Sequence, residues 1–345
     1  MWIYICLFAI VMLFLYIGDV SNSKIPTVIA LIVLILFSGL RYEVGLDFIP
    51  YWTIFKEPEW SSVELGYKWI CEKNLALGFG PQTIYLLSSI VTITLIHKSL
   101  QYYCNTWAIS FVYFCFLLGG WFLESFNIVR QYVAISIFFY ATRYIISKEI
   151  LKYIGLIILG SFFHMSVLLT IPFYFILDKY YSKTAITVLL VFTLLISNFI
   201  SITSLSFIPL YGERYLVEHT EYAGSAELGL GFATKLLLVV LVVFFFRDKL
   251  LQINTKYNVV INACVYYCVL MILFKDIIVF LRGAYYFHIF FVIILQGIQL
   301  CFHKDSRFIV NITIALYVII LFSVQMLDKT GLLIPYRMNT NLYLM

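Results

Sequence analysis

Twelve apolar stretches divide the chain, near residues 2–17, 25–40, 81–98, 106–121, 125–146, 150–163, 165–177, 184–200, 232–246, 257–274, 278–300 and 308–326. No other feature limits the fold so tightly. Hydrocarbon offers no partner for a backbone N–H or C=O, so only helices and closed barrels cross it. Barrel strands alternate apolar and polar residues, and these runs do not. The pattern predicts an all-α polytopic membrane protein. It is read as a single integral membrane domain over residues 1–345, with about 12 transmembrane helices in a range of about 10–13. Composition agrees: 63% of the residues are hydrophobic and 12% charged, with mean hydropathy +0.98, whereas a soluble protein is about a quarter charged. Residues 2–17 lack a basic leader and a small-residue cleavage site, so they read as a retained first span. The net charge of +5 suits anionic lipid and calls for no nucleic acid. Seven scattered cysteines form no CxxC pair and read as small buried hydrophobes.

The stretches on either side of His164 are short for full spans. They fit one broken helix, a re-entrant pair or two short spans. Positive charge orients the rest. With the N-terminus outside, six short inner loops carry 12 of the 23 cations. This arrangement sends two long hydrophilic segments, about 41–80 and 201–231, to the outer side. The first contains "SSVELGYKWICEKN", an expected amphipathic helix near the interface. The second is rich in glycine and carries Tyr211, Tyr215 and Tyr222. Loops longer than about 12–15 residues are usually functional or disordered, and aromatic content argues against disorder.

Charged side chains at membrane depth are costly and mark candidate sites. In "NIVRQYVA", Asn127, Arg130 and Gln131 are expected on one helical sector, as a site or as polar glue between helices. Arg130 also lies near a helix end, where snorkelling is a further explanation. In "FLRGAYYFH", Arg282 precedes Tyr285 and Tyr286. His164 in "LGSFFHMSVLL" has no second His or Cys at ligand spacing, so a metal site is not indicated. It reads as a satisfied core histidine or as a base or substrate ligand.

The topology places Arg41, Arg130, His164, Arg214 and Arg282 at or near the outer side, together with Asp47 and Glu64. Guanidinium groups are always charged and grip phosphate oxygens bidentately, so converging arginines suit a pyrophosphate at the membrane surface. Nearby carboxylates can take the proton of a sugar hydroxyl. The chain has no P-loop, GxGxxG, HExxH or GxSxG motif, and no DxD-like metal pair in an outer loop. A lipid-linked donor therefore fits better than a nucleotide sugar, and no cofactor or metal is called for.

Four pieces in order resemble the EpsG family of Wzy-type polysaccharide polymerases. "GLRYEVGLDFIPYWTIF" at 39–55 carries Arg41, Val44-Gly45, Asp47 and Tyr51. "ELGYKWI" carries Glu64, Gly66 and Tyr67. "NIVRQYVAISIFFYATRYI" carries Arg130 and Gln131, and "FFHMSVLLTIPFYF" carries His164 and Pro172. The pieces cover about residues 39–176. Beyond them only the general layout is similar, which leaves Arg214 and Arg282 with less support.

The resemblance implies a GT-C-like fold and a polymerase of O-antigen, capsule or exopolysaccharide repeat units in the cytoplasmic (inner) membrane. Such enzymes transfer a glycan from undecaprenyl pyrophosphate to the non-reducing end of another lipid-linked unit. A chain-length regulator is an implied partner. On this view Arg41, Arg130, Arg214 and Arg282, with Gln131, Tyr51 and Tyr67, bind substrate. Asp47 is the first choice of base, with His164 and Glu64 behind it. A flippase of lipid-linked oligosaccharide is the main alternative, though it should expose a polar path to both sides, often with repeat symmetry. A membrane O-acyltransferase is a third reading.

Overall fold

A computed structural model of the chain describes residues 1–56, 63–104, 109–199, 229–328 and 331–343, and only the backbone of 278 and 279. All regular elements among these residues are helical, apart from two isolated β-bridges. Five helical spans are long and apolar enough to cross a membrane: Trp2–Ser21, Gln82–Tyr103, Leu230–Ile253, Arg282–Leu300 and Lys304–Leu327. Six more apolar helices are 10–17 residues long. The protein is thus a helical, membrane-embedded chain.

The stretch at 125–146 is not one uninterrupted helix. It contains Val129–Ala141 and Arg143–Ile146, and Trp121–Glu124 precedes it. The segment 41–80, expected as a long loop, contains two helices, Phe48–Lys56 and Leu65–Ala76. The second of these is the helix anticipated in "SSVELGYKWICEKN". Most of the other long segment, 201–231, lies outside the described residues.

The chain divides into two compact units, Met1–Ile171 with Leu295–Met345, and Pro172–Ile294. The first unit holds α1 (Trp2–Ser21), α2 (Lys24–Gly39), α3 (Phe48–Lys56), α4 (Leu65–Ala76), α5 (Gln82–Tyr103), α6 (Ile109–Leu118), α7 (Trp121–Glu124), α8 (Val129–Ala141), α9 (Arg143–Ile146) and α10 (Ile150–Ser161). Local chemistry sets the first turn. Asn22 takes a left-handed φ of 51° to end α1, and the Ser23 hydroxyl accepts the Ile25 N–H at 3.3 Å to start α2. Helix α5 packs along α2 and α8, and α8 packs in turn on α10. Nearly every side chain of α8 is buried, as expected of a helix apolar on all sides.

Around His164 the chain reverses. Tyr153 of α10 donates to the Thr170 carbonyl at 2.7 Å, and a Cβ on Gly160 would lie 3.3 Å from Val167. Helix α10 and residues 165–170 of the following 3-10 stretch therefore run side by side, and His164 sits at the corner.

In the second unit, α14 (Tyr257–Leu273) is the buried centre. It packs against α11 (Lys183–Ile196), α12 (Leu230–Leu241) and α16 (Tyr285–His288); α13 is Arg247–Ile253 and α15 Ile278–Leu281. Asn262 on α14 donates to both the Leu177 and Lys179 carbonyls at 2.8 Å, satisfying backbone that leaves helical geometry. Helix α17 is Phe290–Leu300, and α18 (Lys304–Leu327) packs on α6 in the first unit.

After α18, residues 331–343 run back over the segment that follows α2. Tyr42 N–H donates to Arg337 O at 2.9 Å and Asn339 N–H to Leu40 O at 2.8 Å. Gly45 N–H donates to Leu332 O at 3.0 Å, and Gly80 N–H to Leu342 O at 2.7 Å. Tyr336 stacks on Phe37 with ring centroids 3.9 Å apart, and Arg337 pairs with Glu43. The charge on Glu43 thus anchors this tail.

Two glycines in the segment after α2 permit further close approaches, to Phe126 and Phe162. Gly45 has φ 90°, and a Cβ there would lie 2.4 Å from the Phe126 carbonyl oxygen. Gly66 donates its N–H to the Phe162 carbonyl at 2.9 Å, and its Cβ would meet Phe162 at 2.7 Å. We expect Gly45→Ala to cost about 1–3 kcal/mol from backbone strain alone, with the clash added. Gly66→Ala should prise α4 from the end of α10. Gly155→Ala, in open space on α10, should be neutral or slightly stabilising. Melting midpoints of the detergent-purified variants check this order.

Candidate active site

Arg41 follows α2 directly and is 1% exposed. Its Nε donates to the Val44 carbonyl at 3.2 Å and its Nη1 to the Ser38 carbonyl. The guanidinium lies 4.5 Å from the Phe126 ring centroid and 5.2 Å from that of Tyr85. Burial pulls its pKa down to about 10, with Tyr85 and Asp47 opposing, so it stays charged at neutral pH. Nη2 is buried without a partner, beside a cavity of about 10 Å³ walled by Ser38, Ser89, Thr92 and Ser125. That is room for about one water. Gln82 donates to the Gly39 and Arg41 carbonyls at 2.8 and 3.0 Å, fixing the same turn from α5.

The turn aims Asp47 at α8. Asp47 Oδ2 accepts the Val129 N–H at 2.7 Å, one of the donors that a helix start leaves unpaired. From the other side, Asn127 Oδ1 accepts the Leu46 N–H at 3.0 Å. Asn127 thus precedes α8 instead of sharing its face with Arg130 and Gln131 as expected, because the chain must turn there to receive Asp47. Gln131 is buried, 3% exposed, whereas Arg130 is partly open.

One hydrogen-bonded chain then joins the four pieces of sequence. Arg130 Nε donates to the Tyr51 hydroxyl at 3.0 Å, and that hydroxyl stabilises the Asp47 carboxylate. Arg130 Nη1 donates to Glu64 Oε2. The other oxygen, Glu64 Oε1, lies 3.1 Å from His164 Nδ1. The Tyr51 and Tyr67 rings flank the guanidinium, with centroids 4.9 and 5.4 Å from Cζ. Tyr51 and Glu64 use two of the five guanidinium donors, which leaves Arg130 able to hold an anion as well.

Local geometry explains how each group arrives. Asp47 and Tyr51 are one helical turn apart at the start of α3, and Phe48 and Phe55 of that helix are buried. Glu64 stands just before the first residue of α4, its side chain free of capping duty, and the buried face of α4 is Tyr67, Cys71 and Asn74. His164 stands at the corner after α10, and Gly66 seats α4 on that corner through Phe162.

The two carboxylates differ. Burial pushes the Asp47 carboxyl above its ordinary value, against the pull of Tyr51, the Val129 N–H, Arg130 and Arg41. Burial also pushes Glu64 up, but the hydrogen bond from His164 and the charge of Arg130 outweigh it and leave Glu64 below its ordinary value. Glu64 is therefore a carboxylate held ionised, and it orients the imidazole. With Nδ1 committed to Glu64, the proton-accepting nitrogen of His164 is Nε2.

Next to this network, α4 and the end of α10 enclose an apolar groove of about 560 Å³, lined by Leu65, Trp69, Leu159, Phe162 and Phe163. The groove begins at the residues adjoining Glu64 and His164. Sequence reasoning missed it because its walls come from segments almost a hundred positions apart. It also missed the tail at 331–343, although "LIPYR", with its proline and tyrosine after the last apolar span, is a readable signal.

Of the residues singled out by sequence, Asp47, Tyr51, Glu64, Tyr67, Arg130 and His164 come together. Arg41 lies behind them with its paired donors spent on its own turn. Arg282 opens the short turn Arg282–Ala284 of the second unit, and Arg214 lies outside the described residues.

No curated protein and no solved structure matches the chain. A model of the EpsG family matches residues 24–338. The match takes in every member of the network and nearly the whole sequence, and EpsG-like proteins are Wzy-type polymerases. The chain therefore belongs to the EpsG family, a family of membrane polysaccharide polymerases.

Proposed function

We propose that the protein polymerises lipid-linked repeat units at the outer face of the cytoplasmic membrane. It would transfer a glycan from undecaprenyl pyrophosphate to the non-reducing end of a second lipid-linked unit. The observation that carries this reading is the chain Asp47–Tyr51–Arg130–Glu64–His164. It sets a carboxylate-oriented imidazole and a partly open guanidinium side by side.

The reaction needs a base for the attacking hydroxyl and a cation for the leaving pyrophosphate. His164 Nε2 takes the proton of the acceptor hydroxyl as its oxygen bonds the anomeric carbon. Glu64 stabilises the imidazolium that results, as the carboxylate does in a Ser-His-Asp triad. The bond from the anomeric carbon to phosphate breaks, and the polyprenyl pyrophosphate leaves with its electron pair. The remaining Arg130 donors hold that charge. The polyprenyl chain lies in the groove between α4 and α10, beside the reacting groups.

This assignment moves the base from Asp47 to His164. Asp47 already gives one oxygen to the α8 N-terminus and supports Tyr51, so it positions Arg130. Arg41 holds the turn that carries Asp47.

In a strain lacking the gene, complementation with Arg130→Ala or His164→Ala should lower polymer output by about 10²–10³-fold, the usual effect of losing such a donor. Arg130→Lys should rescue little, since an ammonium cannot span Tyr51 and Glu64 in the guanidinium's fixed geometry. Full-length polymer from both alanine variants at normal protein levels would sink the assignment.

Opposite pKa shifts give a second check. Glu64 contributes stability above its ordinary pKa of 4.5, and this is lost as pH falls through its depressed folded value. Asp47, raised in the fold, works the other way: its burial penalty is absent below its ordinary 3.8 and grows as pH rises through the raised value. Glu64→Gln should therefore flatten or reverse the loss of melting temperature on acidification, and Asp47→Asn should steepen it.

A further inference from the structure

A second cleft, of about 380 Å³, lies between α3 and the C-terminal tail. Trp52 and Lys56, one turn apart on α3, form one wall with Tyr42. Pro81 and the tail residues Met338, Asn339, Asn341 and Tyr343 complete it. The volume is within the range of about 300–1,000 Å³ typical of small-molecule sites.

Its walls are held in place. The Trp52 ring stacks on Phe48 at 5.3 Å and meets Tyr42 edge-on at 5.4 Å, and Phe48 stacks on Tyr85 at 4.6 Å. Tyr343 stacks on Phe79 at 5.8 Å. Two successive Asx-type turns lock Asn339, Asn341 and Tyr343 to one another. Asn339 Oδ1 accepts the Asn341 N–H at 2.9 Å, and Asn341 Oδ1 accepts the Tyr343 N–H at 3.0 Å. Each carbonyl is thereby fixed, and each amide keeps its NH₂ as a donor.

Rigid aromatic faces beside fixed amide donors suit a ring that is apolar on its faces and hydroxylated at its edge. The lining has one cation, Lys56, and no carboxylate. A nucleotide would find too little positive charge there, and a lipid tail would strand the amides. We propose that this cleft is a sugar subsite: it binds one pyranose of the glycan, away from the reacting groups, with the C-terminal tail supplying its polar wall. The proposal rests on the polymerase reading and adds a site that holds the chain between additions. Trp52 and Tyr51 are neighbours on α3, so the cleft and the Arg130 network draw on adjoining faces of one short helix.

The test uses full-length protein in detergent and oligosaccharide fragments of the host's own polymer, free of lipid and pyrophosphate. Titration calorimetry should show wild-type binding that weakens about tenfold or more in Trp52→Ala and in Asn341→Ala. Trp52→Phe should retain most of it, and melting midpoints should be near wild type. Arg130→Ala should bind the fragments as wild type does. In cells, Trp52→Ala and Asn341→Ala should shorten the modal polymer length without abolishing polymer. If wild type fails to bind the fragments, or the two alanine variants bind as wild type, the subsite is overturned even where Arg130→Ala abolishes polymer. Uptake of phospholipid from mixed vesicles into the cleft, blocked by Trp52→Ala, with no affinity for the fragments, would also overturn it. Full-length polymer from Arg130→Ala and His164→Ala, by contrast, overturns the polymerase assignment and leaves the binding result to stand alone.

Discussion

The ion pair between Arg130 and Glu64 organises the first unit. Both side chains are largely withdrawn from solvent, at 19% and 14% exposure. A charge in that position is costly unless its partner is held in good geometry and its remaining valences are used. Here they are. Tyr51 takes a second donor of the guanidinium, and His164 meets the second oxygen of the carboxylate. Removing either charge would leave the other buried and unmatched. The pair thereby ties together α3, the start of α4, the start of α8 and the corner after α10, alongside the Asp47–Val129 and Gly66–Phe162 bonds and the apolar cluster of Phe48, Phe55, Tyr67 and Val129.

Arginine plays two different parts within a few residues of space. Arg41 is sealed under Phe126 and Tyr85, and its paired donors stay within its own turn. Arg130 keeps donors to spare and an opening. The first suits a fixed positive potential and a rigid loop; the second suits contact with a charged substrate. Residue type alone does not distinguish them, since guanidinium is charged in both settings. Burial does, and so does the use of hydrogen-bond valences.

Much of the first unit was legible in advance. Apolar runs located the helices because backbone in hydrocarbon has few alternatives. Arg130 and His164 stood out because ionisable groups near apolar spans are expensive, and Asp47 and Glu64 because the expected topology put them on the same side. What was illegible came from long-range contact. The break before α8 exists because Asp47, 82 positions away, caps that helix. The role of Glu43 depends on Arg337, 294 positions away. That one Asp47 oxygen is committed to the start of α8 and that Glu64 faces His164 Nδ1 likewise depend on segments 82 and 100 positions apart.

The sequence by itself determined a helical membrane chain, the approximate places of its apolar helices, and the residues worth watching. These follow from local physics: hydropathy, backbone satisfaction and the cost of charge. Tertiary structure decided the reversal at His164, the separation of Arg41 from Arg130 in role, and the return of the tail over the loop after α2. Each of these depends on closing contacts between distant segments. Such closures are selected by packing and hydrogen-bond satisfaction over the whole unit, such as Gly45 against Phe126 and Gly66 against Phe162, and no local window of residues encodes them.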